Sequence, residues 1–459
     1  MIGYAIFVGC ILLLAGIYLT ARKGIDTHNI QSMIFGGKTA GPMGLTFSVF
    51  AAWMWTTSVF GSAETYALYG VWGPISYVAG ACIAFAGLIG VLVLIRKHYP
   101  TVVTWLEFIQ IRFGRRTKLW FYLFAVIAPA YVLVEQGVGI AYVLETFYGC
   151  SFRSISFFSV ILATGFVFFG GMKSVIAEEK IASLIIIAGF LAGAVWVIRS
   201  GDIAQFRDMP FTMEGVSLSG RIGTSAITYF IVAIVIAFGQ IVFDPAYYIK
   251  AHLARSTKEM AIGFTLGGIV IWGGITLLAS LYMGHAAMVQ SSDVTDLFHG
   301  PAKAIFSFII IIIGMSTISH FMIGFLGAFS IDLYRTVVKP EGTDKERIVF
   351  GRIMIVAVGL SCASITIALE NISLLTIDVF CAIFFAAPCV PMLIGFLSQR
   401  NFGKLPIIAT VAGTIGGIAL WMAVPGGVLE AQLAGLAAAI LLSFLIMLPG
   451  FLHRMPYDK

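Results

Sequence analysis

The sequence predicts an all-α integral membrane protein. It is expected to have about 13 transmembrane helices, an outer N-terminus and an inner C-terminus. A core of two five-helix halves in inverted repeat should contain two discontinuous helices. Three observations carry this expectation. Hydrophobic residues make up 59% of the 459 residues and charged residues only 11%, where a soluble domain carries about 25% charged. Apolar segments recur at the length of roughly 20 residues that a spanning helix needs. Two of those segments are interrupted by polar, Gly or Pro residues.

The apolar segments lie near 2–20, 43–65, 73–95, 119–145, 154–171, 180–199, 222–249, 258–284, 302–334, 351–369, 373–397, 405–424 and 431–452. The first reads as a retained helix, not a cleaved leader: no Lys or Arg precedes it, and Arg22 and Lys23 follow it. Alternation from an outer N-terminus tests the count, because inner loops should be rich in Lys and Arg. The inner loops hold 23 of the 28 basic residues, including Lys38, Lys118, Lys250, Arg454 and Lys459. Only Arg153, Arg199, Arg207, Arg221 and Lys303 fall outside. The net charge of +6 is therefore a topology signal and calls for no nucleic-acid partner. Five of the six cysteines lie in apolar segments and Cys150 stands alone in an outer loop, so no disulfide framework is expected.

The expected organisation is an extra N-terminal helix and loop over 1–40 and a first core half over 41–200. A second half follows over 201–400, then two C-terminal helices over 401–459. Five helices is an odd number, so a second copy would enter from the opposite side, which gives an inverted repeat. The two interruptions fall in the first helix of each half. The first is "AAWMWTTSVFGSAETYALYG", residues 51–70. The second is "FGQIVFDPAYY", where Pro245 lacks an N–H and disfavours helix at Asp244. Paired interruptions point to a binding site near the midplane; a plain structural kink is the alternative.

Four carboxylates fall inside predicted spans: Glu64, Glu135, Asp244 and Asp378. None has an evident Lys or Arg at its depth, which favours a cation pathway. For Glu64 and Asp378 the alternative is a wet position near the outer surface. "GMSTISH", 314–320, puts Ser316, Thr317, Ser319 and His320 into one span. Hydroxyls with freed carbonyls suit a hard cation; small-residue helix packing is the competing reading. No GxxxxGK[ST] loop and no metal-hydrolase pattern occurs, so an ATP-driven pump on this chain and an enzyme are both disfavoured.

Four segments together resemble the sodium:solute symporter family, of LeuT-type fold. They are "TFSVFAAWMWTTSVFGSAETYALYGVWGP", "TWLEFIQIRFG", "GGMKSVIAEEKIASLI" and "MSTISHFMIGFLGAFSIDLYR". The WxW pair, "VFDPAYYIKA" and "DLYRTVVKPEGT" are most similar to its urea-active branch. The resemblance implies a Na⁺ site made of the carbonyls of Ala51, Met54 and Ile313 and the hydroxyls of Ser316 and Thr317. The family's acid beside the Na⁺ exit path falls at Glu179, a longer side chain with Glu178 next to it. Implied solute contacts are Ser58 and Asp244, with Tyr247 or Tyr248 as an aromatic gate. Polarity and position add Trp53, Trp55, Glu135, Gln136 and Gln240. The expected activity is cation-coupled import of a small polar solute, urea-type first, with Na⁺ as coupling ion and H⁺ as the alternative. The partners are that solute and membrane lipid. A proton-coupled amino-acid permease and a solute sensor working with a separate kinase are the rivals.

Overall fold

A computed structural model describes residues 1–36, 40–200, 225–290, 293–370, 372–398, 400–424 and 428–452. Lys38, Arg207, Arg221, Arg454 and Lys459, most of the expected outer loop at 200–221 and the final "HRMPYDK" lie outside these residues. The described chain is helical and contains no strand. Its helices are α1 (Ile2–Ala21), α2 (Ile30–Met33), α3 (Pro42–Trp53), α4 (Thr56–Tyr69), α5 (Trp72–His98), α6 (Trp105–Phe113), α7 (Arg115–Tyr148) and α8 (Phe152–Ser200). There follow α9 (Ala226–Val242), α10 (Pro245–Leu253), α11 (Thr257–Gln290), α12 (Pro301–Val338), α13 (Asp344–Leu369), α14 (Leu374–Leu397), α15 (Leu405–Ala423) and α16 (Val428–Met447).

Among the described residues ten helices are long and apolar enough to cross a membrane, or twelve if each bent pair is one span. The bent pairs are α3 with α4, at 57°, and α9 with α10, at 65°. These are the two interruptions that the sequence marks. The run α8 is two helices that meet at Gly171, whose φ of 60° no helix contains. Its 49 residues would measure about 74 Å unbroken, more than twice a bilayer's apolar core. A Cβ at Gly171 would stand 2.5 Å from the Met33 carbonyl oxygen of α2. Only glycine meets both demands, the left-handed φ and the close approach.

Helix α12 is the buried centre of the bundle, while α1, α13 and α15 expose apolar faces. Lipid offers no hydrophobic drive between helices, so close approach rests on small residues. Gly417 of α15 and Gly435 of α16 face each other: a Cβ on either meets the other's carbonyl at 2.8 Å. Gly80 of α5 makes room for Ala233 of α9 in the same way.

One end of the bundle is tied together by basic residues that the sequence counted as loop charges. Lys118, in the first turns of α7, is buried and pairs with Asp332 of α12 at 2.9 Å. Thr104 Oγ1 donates to the other Asp332 oxygen at 2.7 Å and caps α6 through the Glu107 N–H. Burial, and then the nearby Asp332 carboxylate, push the Glu107 carboxyl up from its usual range. Arg96 donates to the carbonyls of Ala251 and Ala254 at the C-terminus of α10, at 2.7 and 3.2 Å, where a cation is favoured.

Gly171→Ala should lower stability by about 1–3 kcal/mol, the size of a residue held in a disallowed region. Gly165→Ala, at a helical position with open space around it, should not. Thermal unfolding of the two purified variants separates them.

Candidate functional site

The first break occupies two residues. Met54 (φ −85°, ψ 97°) and Trp55 (φ −100°, ψ 164°) are extended between α3 and α4. In a continuous helix the Trp55 N–H would bond the Ala51 carbonyl; here it donates to Ser58 Oγ at 3.2 Å. The Thr56 N–H would bond Ala52; here it donates to Gln136 Oε1 at 2.8 Å. The Ala52 carbonyl accepts instead from the Trp55 indole N–H at 2.8 Å. Side chains thus take over the helix's own bonds, and the Ala51 carbonyl is released. Buried backbone groups in a membrane must find such partners.

Helix α12 packs against this break. Thr317 Oγ1 reaches the Met54 carbonyl at 3.2 Å. Ser316 Oγ is fully buried and has no hydrogen-bond partner. Ile313 lies one turn before Thr317 and is fully buried. An orphaned hydroxyl, a second hydroxyl and a helix break with a released carbonyl fit a hard monovalent cation, which prefers neutral oxygen. Among the described residues no group of three or more His, Cys, Asp or Glu side chains could hold a metal ion; the oxygens named here are of another kind.

The second break is built by Pro245. Asp244 (φ −84°, ψ 111°) caps α10, its Oδ1 accepting from the Ala246 N–H at 2.8 Å. The released carbonyls of Val242 and Phe243 accept from Tyr248 OH at 2.9 Å and from the Trp105 indole N–H at 3.1 Å.

Between the breaks lies a cavity lined by Trp53, Trp55, Ser58, Gln240, Trp272 and Asp378, with Tyr77 and Tyr229 beside them. The three indoles stack edge-on or tilted: Trp53 lies 5.0 Å from Trp55 and 5.5 Å from Trp272. Ser58 Oγ accepts from the Trp272 N–H at 3.2 Å. Trp53 Nε1 is buried without a partner. Asp378 Oδ1 accepts from Tyr131 OH at 3.1 Å and from Gln240 Nε2.

A second polar cluster lies one helical turn from these oxygens, on the same helices. Ser48 precedes Ala51 by three residues and His320 follows Thr317 by three. Glu179 is fully buried, pairs with Lys250 and accepts from Ser48 Oγ. Lys250 Nζ also donates to the Ser48 carbonyl at 3.2 Å. His320 Nε2 lies 2.6 Å from Asp244 Oδ2, and its Nδ1 lies 3.3 Å from Glu179 Oε1 without hydrogen-bond alignment. Tyr18 of α1 donates to Glu178 at 2.7 Å.

The expected residues therefore divide. Trp53, Trp55, Ser58 and Gln240 line the cavity. Asp244, Tyr247 and Tyr248 do not: Asp244 faces His320, Tyr247 packs on Phe85 and His320, and Tyr248 bonds its own helix break. Glu135 and Gln136 sit under the first break, holding Thr57 and the Thr56 N–H. Among the described residues none of the four in-span carboxylates pairs with a Lys or Arg, but Asp244 meets His320, and Glu179, outside the predicted spans, meets Lys250. Lys250 reads as a loop charge in sequence because the Pro245 break hides the helix that carries it inward. Asp378, for which a wet position near the outer surface is the alternative reading, is buried at the cavity. Glu64 is half-buried and accepts from Ser373 at 3.0 Å. Its status as an acid in an apolar span was the only signal for Asp378, and Tyr131 was findable as the residue one turn before Glu135.

No protein-family profile matches the chain. Curated relatives do. The chain is 23% identical to "Probable urea active transporter 1" of Schizosaccharomyces pombe, over 92% of this chain and 70% of that one. It is 21% identical to "Urea-proton symporter DUR3" of Oryza sativa, over 89% and 63%. It is 21% identical to the "Sodium/proline symporter" of Escherichia coli, over 75% and 73%. In structure it matches a Na⁺-coupled sialic acid symporter with a TM-score of 0.76, at 15% identity, over 98% of both chains. The chain is a multi-pass membrane protein of the LeuT-type transporter fold. Mhp1, a nucleobase-cation-symport-1 family transporter, shares the fold with a TM-score of 0.57, at 16% identity, over 91% of this chain and 94% of Mhp1. The chain spans 63% of the rice symporter's length. These relatives are named transporters and symporters, not enzymes, and the resemblance read from the four sequence segments agrees with them. They support secondary active symport of a small solute.

Lys250→Met should cost about 3–5 kcal/mol, because it leaves Glu179 charged and buried without its partner. Lys250→Met combined with Glu179→Gln should recover a substantial part. Thermal unfolding of the single and double variants reads both effects.

Proposed function

We propose that the chain is a cation-coupled secondary active importer of a small polar solute of the urea type, working by alternating access. One observation carries this reading: a single helix break borders both the Ser316–Thr317 hydroxyls and the aromatic cavity. Ala51 and Met54 belong with the first, and Trp53, Trp55 and Ser58 with the second. Binding at either place fixes the same eight residues, so each ligand favours the conformation that the other needs.

The free space in the cavity is about 20 Å³, the size that holds a single ordered water. A small solute is therefore favoured, and the helices must part to admit it. A urea-type solute fits the polar groups. Its carbonyl would accept from the unpartnered Trp53 N–H, and its N–H groups would donate to Asp378. The curated relatives named for urea favour the same class.

Na⁺ is the proposed coupling ion, on Ala51, Met54, Ile313, Ser316 and Thr317. Glu179, one turn away, would attract it toward the exit and is itself balanced by Lys250. H⁺ is the second reading, favoured by the buried His320–Asp244 pair and by the relative named a urea-proton symporter. The two bent helices, α3–α4 and α9–α10, would open the two inverted halves.

Purified protein in liposomes should accumulate urea when an inward Na⁺ gradient is imposed. Accumulation driven only by a proton gradient would select H⁺, and accumulation of no candidate solute under either gradient would defeat the reading. Ser316→Ala and Thr317→Ala, each alone, should raise the half-saturating Na⁺ concentration about 10- to 150-fold, from the loss of roughly 1.5–3 kcal/mol for one bond to a charged group. An unchanged Na⁺ requirement would rule out this position.

A further inference from the structure

The two polar clusters differ in charge balance. The Glu179 cluster carries its own bases, Lys250 and His320. The cavity does not. Asp378 lines it, and Glu135 is fully buried nearby, one turn along α7 from Tyr131. Among the described residues no ion pair reaches either carboxylate. Asp378 Oδ1 is held by Tyr131 and Gln240, and no hydrogen bond among the described residues occupies Oδ2. The rest of the lining is aromatic: Trp53, Trp55 and Trp272, with Tyr77 and Tyr229.

A buried carboxylate without a counter-charge is costly, and a partner that brings the charge relieves that cost. Indole faces attract cations, and most strongly when water is excluded. A planar N–H fork meets a carboxylate in two parallel bonds. We propose that this cavity binds a small planar organic cation of the guanidinium type in preference to its neutral isostere, urea, and that Asp378 sets the preference. The proposal rests on the reading above for the place of the solute, and it names the charge class that this place selects.

Guanidinium and urea share size and shape. They differ in one group: an N–H₂ with a delocalised positive charge replaces the carbonyl oxygen. Urea gains the Trp53 N–H, a neutral bond. Both ligands donate N–H groups to Asp378, but only guanidinium brings a full positive charge to those bonds and to the three indoles. The charge outweighs the one neutral bond that urea gains, so the balance falls to the cation. Residues Tyr131 and Gln240 act as positioning groups: by holding Oδ1 they turn Oδ2 to the ligand.

The test uses the full chain in detergent, titrated with guanidinium chloride or with urea at matched ionic strength, followed by indole fluorescence and thermal shift. Guanidinium should half-saturate at a concentration about tenfold or more below urea, the scale of a desolvated charge-assisted contact. Asp378→Asn should bring the ratio close to one, and Asp378→Glu should retain part of it. The ligand-free unfolding temperature of each variant shows whether it is folded, and the wild-type ratio stands alone if one is not. Urea binding as tightly as guanidinium, or a ratio that Asp378→Asn leaves unchanged, overturns this proposal and leaves the urea-type reading in place. Binding of neither probe overturns both.

Discussion

A helix that breaks inside a membrane must find new partners for every backbone group it releases, because no water is there to accept them. The two breaks meet this demand with side chains. At the first, Ser58, Gln136 and the Trp55 indole take over bonds that the helix gives up. At the second, Asp244, Tyr248 and Trp105 do so. Beside the first break and its cavity, Ser316 Oγ and the Trp53 N–H have no partner, and Asp378 is held through Oδ1 alone. The proposed ligand contacts use these groups.

The same constraint orders the charges. An unpaired ion in the bundle costs far more than a loop charge. Lys250 and His320 hold Glu179 and Asp244 in balance one turn from Thr317 and Ala51. Lys118 holds Asp332 at the end of α12. Among the described residues Asp378 and Glu135, at and beside the cavity, have no such base, and the buried Glu178 has Tyr18 in place of one. The proposed ligand would supply the compensation that Asp378 lacks.

Much of this was legible in the chain. Hydropathy located the apolar segments, and Gly and Pro located both breaks to within a few residues. The hydroxyl pair at Ser316 and Thr317 stood out by composition. The cavity was only partly legible. Trp53, Trp55, Ser58 and Gln240 sit on or near the breaks, so reading outward from the breaks finds them. Trp272, Tyr77, Tyr229 and Asp378 come from α11, α5, α9 and α14. Nothing local distinguishes them from lipid-facing aromatics or from a surface acid.

The sequence by itself determined that the chain crosses the membrane many times and where its helices must break. Both follow from local properties: apolar length, missing N–H groups and poor helix formers. Only the tertiary structure decided which polar residues face one another. Lys250 lies 71 residues from Glu179 in sequence, and Asp378 lies 138 residues from Gln240. Pairing at such distances is set by how tilted and bent helices pack around α12, and no short-range pattern encodes that packing. Asp244 therefore moved from the solute to His320, and Asp378 moved from the surface to the cavity.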